Sequence, residues 1–274
     1  MLHKKITFIG AGNMTSSIIS GLIKANYPSS LICASAPSPD NTTRLKDQFS
    51  IKISNDNISS AKWADVIVLA VKPQIMAEVC QALNLAGIHF ENKLIISIAA
   101  GITVERLQFL LGDTTEIIRT MPNTPALVQK GMTGLFASTL VSTDNKLFAE
   151  QLLLSVGKII WVQTEAMINA IIAVSGSAPA YFFLFMEAMQ EKALKMGFDE
   201  QQARLLVQQV ALGSAEMVLQ NPEKSIATLR QNVTSKGGAT AVALHMFNEL
   251  DLNNIVAKAM QSASDRANDM ESLF

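Results

Sequence analysis

Up to Val162 the chain alternates short β-rich runs with segments of helical spacing, and after Gln163 that alternation stops. No other feature constrains the fold as much. Lys5–Ile9, Ser30–Ser35, Asp65–Val71, Leu94–Ser97, Glu116–Arg119 and Lys158–Val162 are the expected strands. The segments 13–25, 39–49, 73–86 and 103–111 place apolar residues at helical intervals between them. Asp65-Val-Ile-Val-Leu-Ala-Val71 is apolar almost throughout, as a parallel strand covered on both faces must be. Repeated βαβ units imply a mostly parallel sheet with right-handed crossovers. Beyond Gln163 helices are expected over about 177–196, 199–219, 222–231, 238–250 and 252–270. Gly197 ends one and Asp199 caps the next, while Asn221-Pro222 offers a cap followed by a first-turn proline. The expected fold class is α/β: a Rossmann-type doubly wound, mostly parallel sheet over 1–162, followed by an all-α domain over 163–274.

Composition narrows the function. The net charge of −1 and the lack of charge blocks argue against nucleic acid as a partner. No spacing among His3, His89 and His245 suits a metal. Cys33 and Cys80 sit among apolar residues with no CxxC pairing, so both are expected as buried thiols in a reducing compartment. The first residues run straight into a strand with no secretory leader, which makes the cytoplasm the expected location. Met167 to Met186 carries no charge and is long enough to span a bilayer. Asn169 and Ser175-Gly-Ser-Ala-Pro179 interrupt it, and Glu165 and Glu187 flank it where Lys or Arg would belong. A buried or subunit-facing helix is the reading adopted. Tyr181, Phe182, Phe183 and Phe185 then serve as core or dimer contacts.

Gly10-Ala11-Gly12-Asn13-Met14-Thr15 stands between the first strand and the first helix, where a dinucleotide fingerprint belongs. The first glycine permits the tight turn. The second lets backbone approach a pyrophosphate, and the helix start supplies N–H donors. Thr15 occupies a position usually held by Gly or Ala. An NAD enzyme carries Asp or Glu after the second strand for the ribose 2′-hydroxyl. Here Ser35-Ala-Pro-Ser38 stands in that region, so NADP is expected, with Ser35 or Ser38 as donors to the 2′-phosphate and Asp40 as the cap of the next helix. Ala70-Val71-Lys72-Pro73 and Ala99-Ala100-Gly101 follow two further strands, at the carboxyl ends where ligands of such sheets bind. Asn123, in a loop expected to be mobile, either borders the nicotinamide or belongs to a rigid proline turn.

Ser235-Lys-Gly-Gly-Ala-Thr240 is the second informative motif. Paired glycines before a helix expose backbone N–H groups at its positive end, which suits a carboxylate and equally suits a helix start with no ligand. Here the chain resembles a known family. Asn232-Val-Thr-Ser-Lys-Gly-Gly-Ala-Thr240 with Ala243-Leu244 is similar to the signature of the Δ1-pyrroline-5-carboxylate reductases. Phe8–Met14, Ala70–Pro73, Ser97–Gly101, Arg119-Thr-Met-Pro-Asn-Thr-Pro125 and Ser175-Gly-Ser-Ala-Pro-Ala-Tyr181 extend the resemblance in order along the chain.

The resemblance implies an NADPH-dependent enzyme that reduces a cyclic imine carboxylate to L-proline, the last step of proline biosynthesis. It implies a homodimer through the helical domain and a higher oligomer such as a decamer. It implies cofactor contacts at 10–15, the serines after the second strand, Asn57, 70–73 and 97–101. It places the substrate carboxylate on Gly238, Ala239 and Thr240, with Glu223 nearby. For such a reduction Thr240 is the expected catalytic residue: its hydroxyl either hydrogen-bonds the imine nitrogen or relays a proton through water, and, being a poor acid, it is assigned to positioning first. Lys236, Gln231 and Thr15 depart from the family pattern without removing a group the chemistry needs. Another NADP-dependent cyclic imine reductase, or a non-catalytic dinucleotide-binding regulator, are the alternatives. A hydroxyacid dehydrogenase would want a lysine on the first long helix after the sheet, and 167–186 has none.

Overall fold

The computed structural model describes residues 3–113 and 115–273. Its strands are β1 (Ile6–Ile9), β2 (Ile32–Ser35), β3 (Lys52–Ser54), β4 (Val66–Leu69), β5 (Leu94–Ser97), β6 (Glu116–Met121), β7 (Gly131–Ala137) and β8 (Gly157–Trp161). They form one sheet in the order β3-β2-β1-β4-β5-β6-β7-β8. All neighbours pair in parallel except β6 with β7. Helices α1 (Asn13–Lys24), α2 (Pro39–Phe49), α3 (Asn57–Trp63), α4 (Met76–Leu85), α5 (Val104–Leu111) and α6 (Thr143–Leu154) supply the crossovers. Every residue of β1, β2, β4 and β5 is buried, which explains their unbroken apolar character. One apolar cluster gathers Phe8, Ile18, Leu22 and Phe148, and a second gathers Ile67, Met76, Leu107 and Ile117.

After the sheet come α7 (Ala166–Ile171), a π-helical turn (Ile172–Gly176), α8 (Ala178–Lys195), α9 (Glu200–Gln220), α10 (Ile226–Asn232), α11 (Ala239–Glu249) and α12 (Leu252–Glu271). The chain forms two compact units. The first runs to Ser177 and regains the chain from Ser262; the second is Ala178–Gln261. The division expected between 162 and 163 therefore lies inside the first unit. Ile171 of α7 packs so closely on β7 that a Cβ on Gly134 would lie 2.9 Å from it.

Some local expectations need correction. Asp40 does not cap α2; Ser38 is the cap residue and its own side chain makes no capping bond. Asn221 and Pro222 do not start a helix. Asn221 ends α9, its amide donating to Met217 O at 2.8 Å, and the next helix begins four residues after Pro222, capped by Ser225. A Ser225 hydroxyl that accepts from Thr228 N outcompetes a proline whose ring only permits a first turn. The segment after Met121 is not an irregular loop: Thr124–Val128 forms a 3-10 turn and β7 follows. By contrast, Thr103 caps α5, and Asp199 forms a reciprocal capping box with Gln202 on α9.

Candidate active site

The sheet gathers the expected cofactor residues. Gly10–Thr15, Ser35, Ala70–Pro73, Ala99–Gly101 and Asn123 follow, or in the case of Ser35 end, the parallel strands β1, β2, β4, β5 and β6. Parallel strands put all these ends on one edge. β1 lies between β2 and β4, so chain order reverses direction there, the place where doubly wound sheets bind ligands.

The fingerprint loop has little freedom. Gly10 adopts φ +111°, and a Cβ there would stand 2.5 Å from Ala70 O of the neighbouring strand end. A Cβ on Gly12 would meet nothing within 4 Å, so the space beside the start of α1 is open. Gly12 is the cap residue of α1 and no side chain caps that first turn. Open space next to uncapped N–H groups fits a pyrophosphate. Thr15 turns inward and is buried, its hydroxyl donating to Gly10 O at 2.7 Å. The unusual residue thus braces the glycine turn from inside, and the motif tolerates it because the hydroxyl is satisfied.

Ser35 is buried and donates to Asn57 Oδ1 at 2.7 Å, while its carbonyl accepts from Gly10 N at 2.8 Å. Of the two expected phosphate donors, Ser38 is the exposed one, at an α2 start with no side-chain cap. Asp56 caps α3 beside Asn57. The Ser59 hydroxyl and then the Ile58 N–H hold its carboxyl below the usual carboxylate value. Lys72 is exposed at the turn after β4.

Asn123 takes a structural position. Its amide donates to Ser175 O at 3.0 Å and its Oδ1 accepts from Met132 N at 2.9 Å. The sequence explains the first bond. In a helix Ser175 O would accept from the residue four positions on, which is Pro179 and has no N–H. Asn123 satisfies the orphaned carbonyl, while Ser177 N bonds back five residues to Ile172 O in the π-turn.

In the second unit, Gly237 takes φ +73° and Gly238 caps α11 without any side-chain capping bond. A Cβ on Gly238 would crowd Ser235 Oγ, so a side chain there would make the Ser235 hydroxyl turn away. Ala239 and Thr240 form the exposed first turn of α11. Glu223 is exposed in the turn between α9 and α10, with Lys224 Nζ 3.8 Å from its carboxylate.

Arg119, within the motif Arg119–Pro125, draws no role of its own from that motif. Arg119 is fully buried and holds Glu165 and Glu271 on one nitrogen, at 2.9 and 2.7 Å. Its other terminal nitrogen donates to Asn169 Oδ1 at 3.0 Å. An arginine directly after the apolar pair Ile117-Ile118 of a strand was the available signal; its partners lie too far along the chain to show a pattern. Both thiols are buried, and burial pushes Cys80 up to about 12 and Cys33 upward as well, which keeps them protonated and unreactive. No group of three metal-binding side chains occurs among the described residues.

Comparison with known proteins agrees with this arrangement. Residues 165–270 match the family described as pyrroline-5-carboxylate reductase dimerisation. Residues 5–101 match the family described as NADP oxidoreductase coenzyme F420-dependent. A pyrroline-5-carboxylate reductase of Vibrio alginolyticus is 56% identical over 274 residues, covering 100% of both chains. The chain belongs to the pyrroline-5-carboxylate reductase family. It is an oxidoreductase with a Rossmann-type sheet and a helical dimerisation region. The solved structure of a Coxiella burnetii pyrroline-5-carboxylate reductase is 41% identical, covers 98% of each chain and superposes with a TM-score of 0.91. A Plasmodium falciparum pyrroline carboxylate reductase, solved with NADP bound, is 30% identical over 99% of each chain, with a TM-score of 0.88.

Proposed function

We propose that this chain reduces the ring C=N bond of Δ1-pyrroline-5-carboxylate with NADPH, giving L-proline. The observation that carries the reading is the glycine-opened start of α11, with its uncapped first turn and Thr240 hydroxyl, in a chain 56% identical to a relative of that name. Bound NADPH would supply the hydride; the protein supplies orientation and electrostatics. The uncapped first turn of α11, at Ala239 and Thr240 beside Gly238, suits the substrate carboxylate, aided by the positive end of the helix, while the Gly238 N–H itself donates to Ser235 O at 3.1 Å. Thr240 is the catalytic residue, its hydroxyl steadying the imine nitrogen, and Glu223 is a substrate-site residue. A cyclic imine that arrives protonated is electrophilic without a strong protein acid, which suits a site with no buried carboxylic acid or histidine to donate.

The cofactor residues are Gly10–Thr15, Ser35, Ser38, Asn57, Ala70–Pro73, Ala99–Gly101 and Asn123. Gly12 gives the pyrophosphate its approach, while Ser35 fixes Asn57 and leaves Ser38 as the hydroxyl open to a 2′-phosphate. With no acid ending β2, the site favours NADPH over NADH. The committed side-chain amide of Asn123 makes that residue a holder of the loop more than a direct ligand.

The stretch Ala166–Lys195 is long and apolar enough to cross a membrane by length and composition. The dimerisation match contains it, and a second copy covering α8 and α9 accounts for its apolar face better than lipid does. The assembly is a homodimer that builds a decamer, in the cytoplasm. NADPH oxidation at 340 nm with Δ1-pyrroline-5-carboxylate, beside NADH and beside a six-membered imine acid, tests the proposal. Rapid oxidation yielding proline, faster with NADPH, is expected. A folded protein that binds NADPH yet oxidises none would overturn it.

A further inference from the structure

Arg119 is a buried cation placed one strand away from a cofactor loop, and its bonds run to three separate parts of the first unit. Glu165 stands just before α7, Asn169 lies on α7, and Glu271 lies in the last turn of α12. Asn169 in turn donates to Asn268 Oδ1 at 2.8 Å, tying α12 a second time. Glu165 Oε1 also accepts from Val104 N at 2.8 Å, so the carboxylate that meets Arg119 holds the first residue of α5 as well. Between β5 and α5 lies the loop Ala99-Ala-Gly101. Gly101 adopts φ +73°, and a Cβ there would stand 2.9 Å from Met270 Cβ and 3.3 Å from the Met270 backbone. The last turn of α12 therefore packs directly on the glycine loop, and Glu271, its next residue, is bound to Arg119.

We propose that Arg119, Glu165 and Glu271 are positioning residues for cofactor binding: the ion-pair hub presses the last turn of α12 onto Gly101 and fixes the 99–101 backbone in its ligand-ready form. The proposal rests on reading that loop as a cofactor segment. One carboxylate oxygen of Glu165 serves both the guanidinium and the N–H that begins α5, which couples the cluster to the far end of the loop. Both ends of the loop are set by this one cluster. Glu165 fixes the α5 side, and Glu271 with Met270 fixes the glycine. The charge-assisted bonds are directional and largely shielded from water, which suits holding a geometry.

The test compares Glu271→Gln with Glu271→Asp and Arg119→Lys in the full-length protein. Glu271→Gln keeps the side-chain shape and an acceptor oxygen but removes the charge, so the fold is retained even if Arg119→Lys fails to fold. NADPH affinity is measured by fluorescence titration without imine, beside KM for each substrate, kcat and thermal melting. Glu271→Gln is expected to weaken NADPH binding and raise its KM by about tenfold, with KM for the imine nearly unchanged. Glu271→Asp should recover part of that loss. A Glu271→Gln protein with lower melting temperature but wild-type NADPH affinity and KM would overturn the proposal and leave the hub a structural brace. The affinity measurement contains no imine, so it decides the matter even if the wild-type protein proves inactive on Δ1-pyrroline-5-carboxylate.

Discussion

The two units solve the problem of burial in opposite ways. In the first, four strands are buried at every residue and two apolar clusters close over both faces of the sheet. In the second, α8, α10 and α11 bury no residue, and α9 buries only Ala203 and Val207. Phe183 and Leu212 border a groove of about 1120 Å³ between α8 and α9 and are 61% and 63% exposed. The first unit finishes its core within one copy of the chain. The second carries the apolar surface of a core that one copy leaves open, which suits the dimerisation family it matches.

That contrast can be broken first at Arg119. Arg119→Met strands two carboxylates beside a buried apolar side chain and should cost the first unit about 3–5 kcal/mol, read as a lower denaturation midpoint. A loss confined to a few tenths would mean that the sheet unit is insensitive to its buried charge. Phe183→Asp attacks the other solution: the sheet should stay folded and bind NADPH, while assembly weakens by about 2–4 kcal/mol in sedimentation equilibrium. An unchanged oligomer would show that the groove is not where copies meet. Thr240→Ala should lower turnover on the order of 10²-fold with NADPH affinity intact, keeping the loss within the helical unit. A fall of a few-fold would remove Thr240 from the catalytic role.

The smallest effect concerns Asp56. Its folded value is depressed by Ser59 and Ile58, so its contribution is present above the ordinary carboxylate value and is lost as pH falls through the folded one. Asp56→Ala should therefore melt slightly below wild type at neutral pH, and the difference should vanish in acid. A difference that persists in acid would point to the helix start itself rather than to charge.

The sheet was legible where burial imposes a pattern. Asp65–Val71 could be nothing but a covered strand, and β4 lies within it. β3 escaped because three residues carry no periodicity, and β7 because Gly131 and Gly134 dilute it. Both glycines have tertiary causes: a Cβ at either would come within 2.9 Å of Val156 O or of Ile171. No local pattern encodes a neighbour that arrives from elsewhere. The candidate site divides along the same line. Gly10, Gly12 and Gly238 announced themselves because a turn beside a helix start is a local event. The Arg119 hub did not, because its partners lie 46, 50 and 152 residues away.

The last of those separations has a consequence for biosynthesis. A ribosome adds roughly 5–20 residues per second, so Arg119 is made about eight to thirty seconds before Glu271 can meet it. Through that interval β6 carries a cation destined for the interior with one of its two counterions still unmade. The whole of Ala178–Gln261 is translated before the first unit can close. A nascent chain halted before α12 thus holds every strand of the sheet and still lacks the helix turn that completes it.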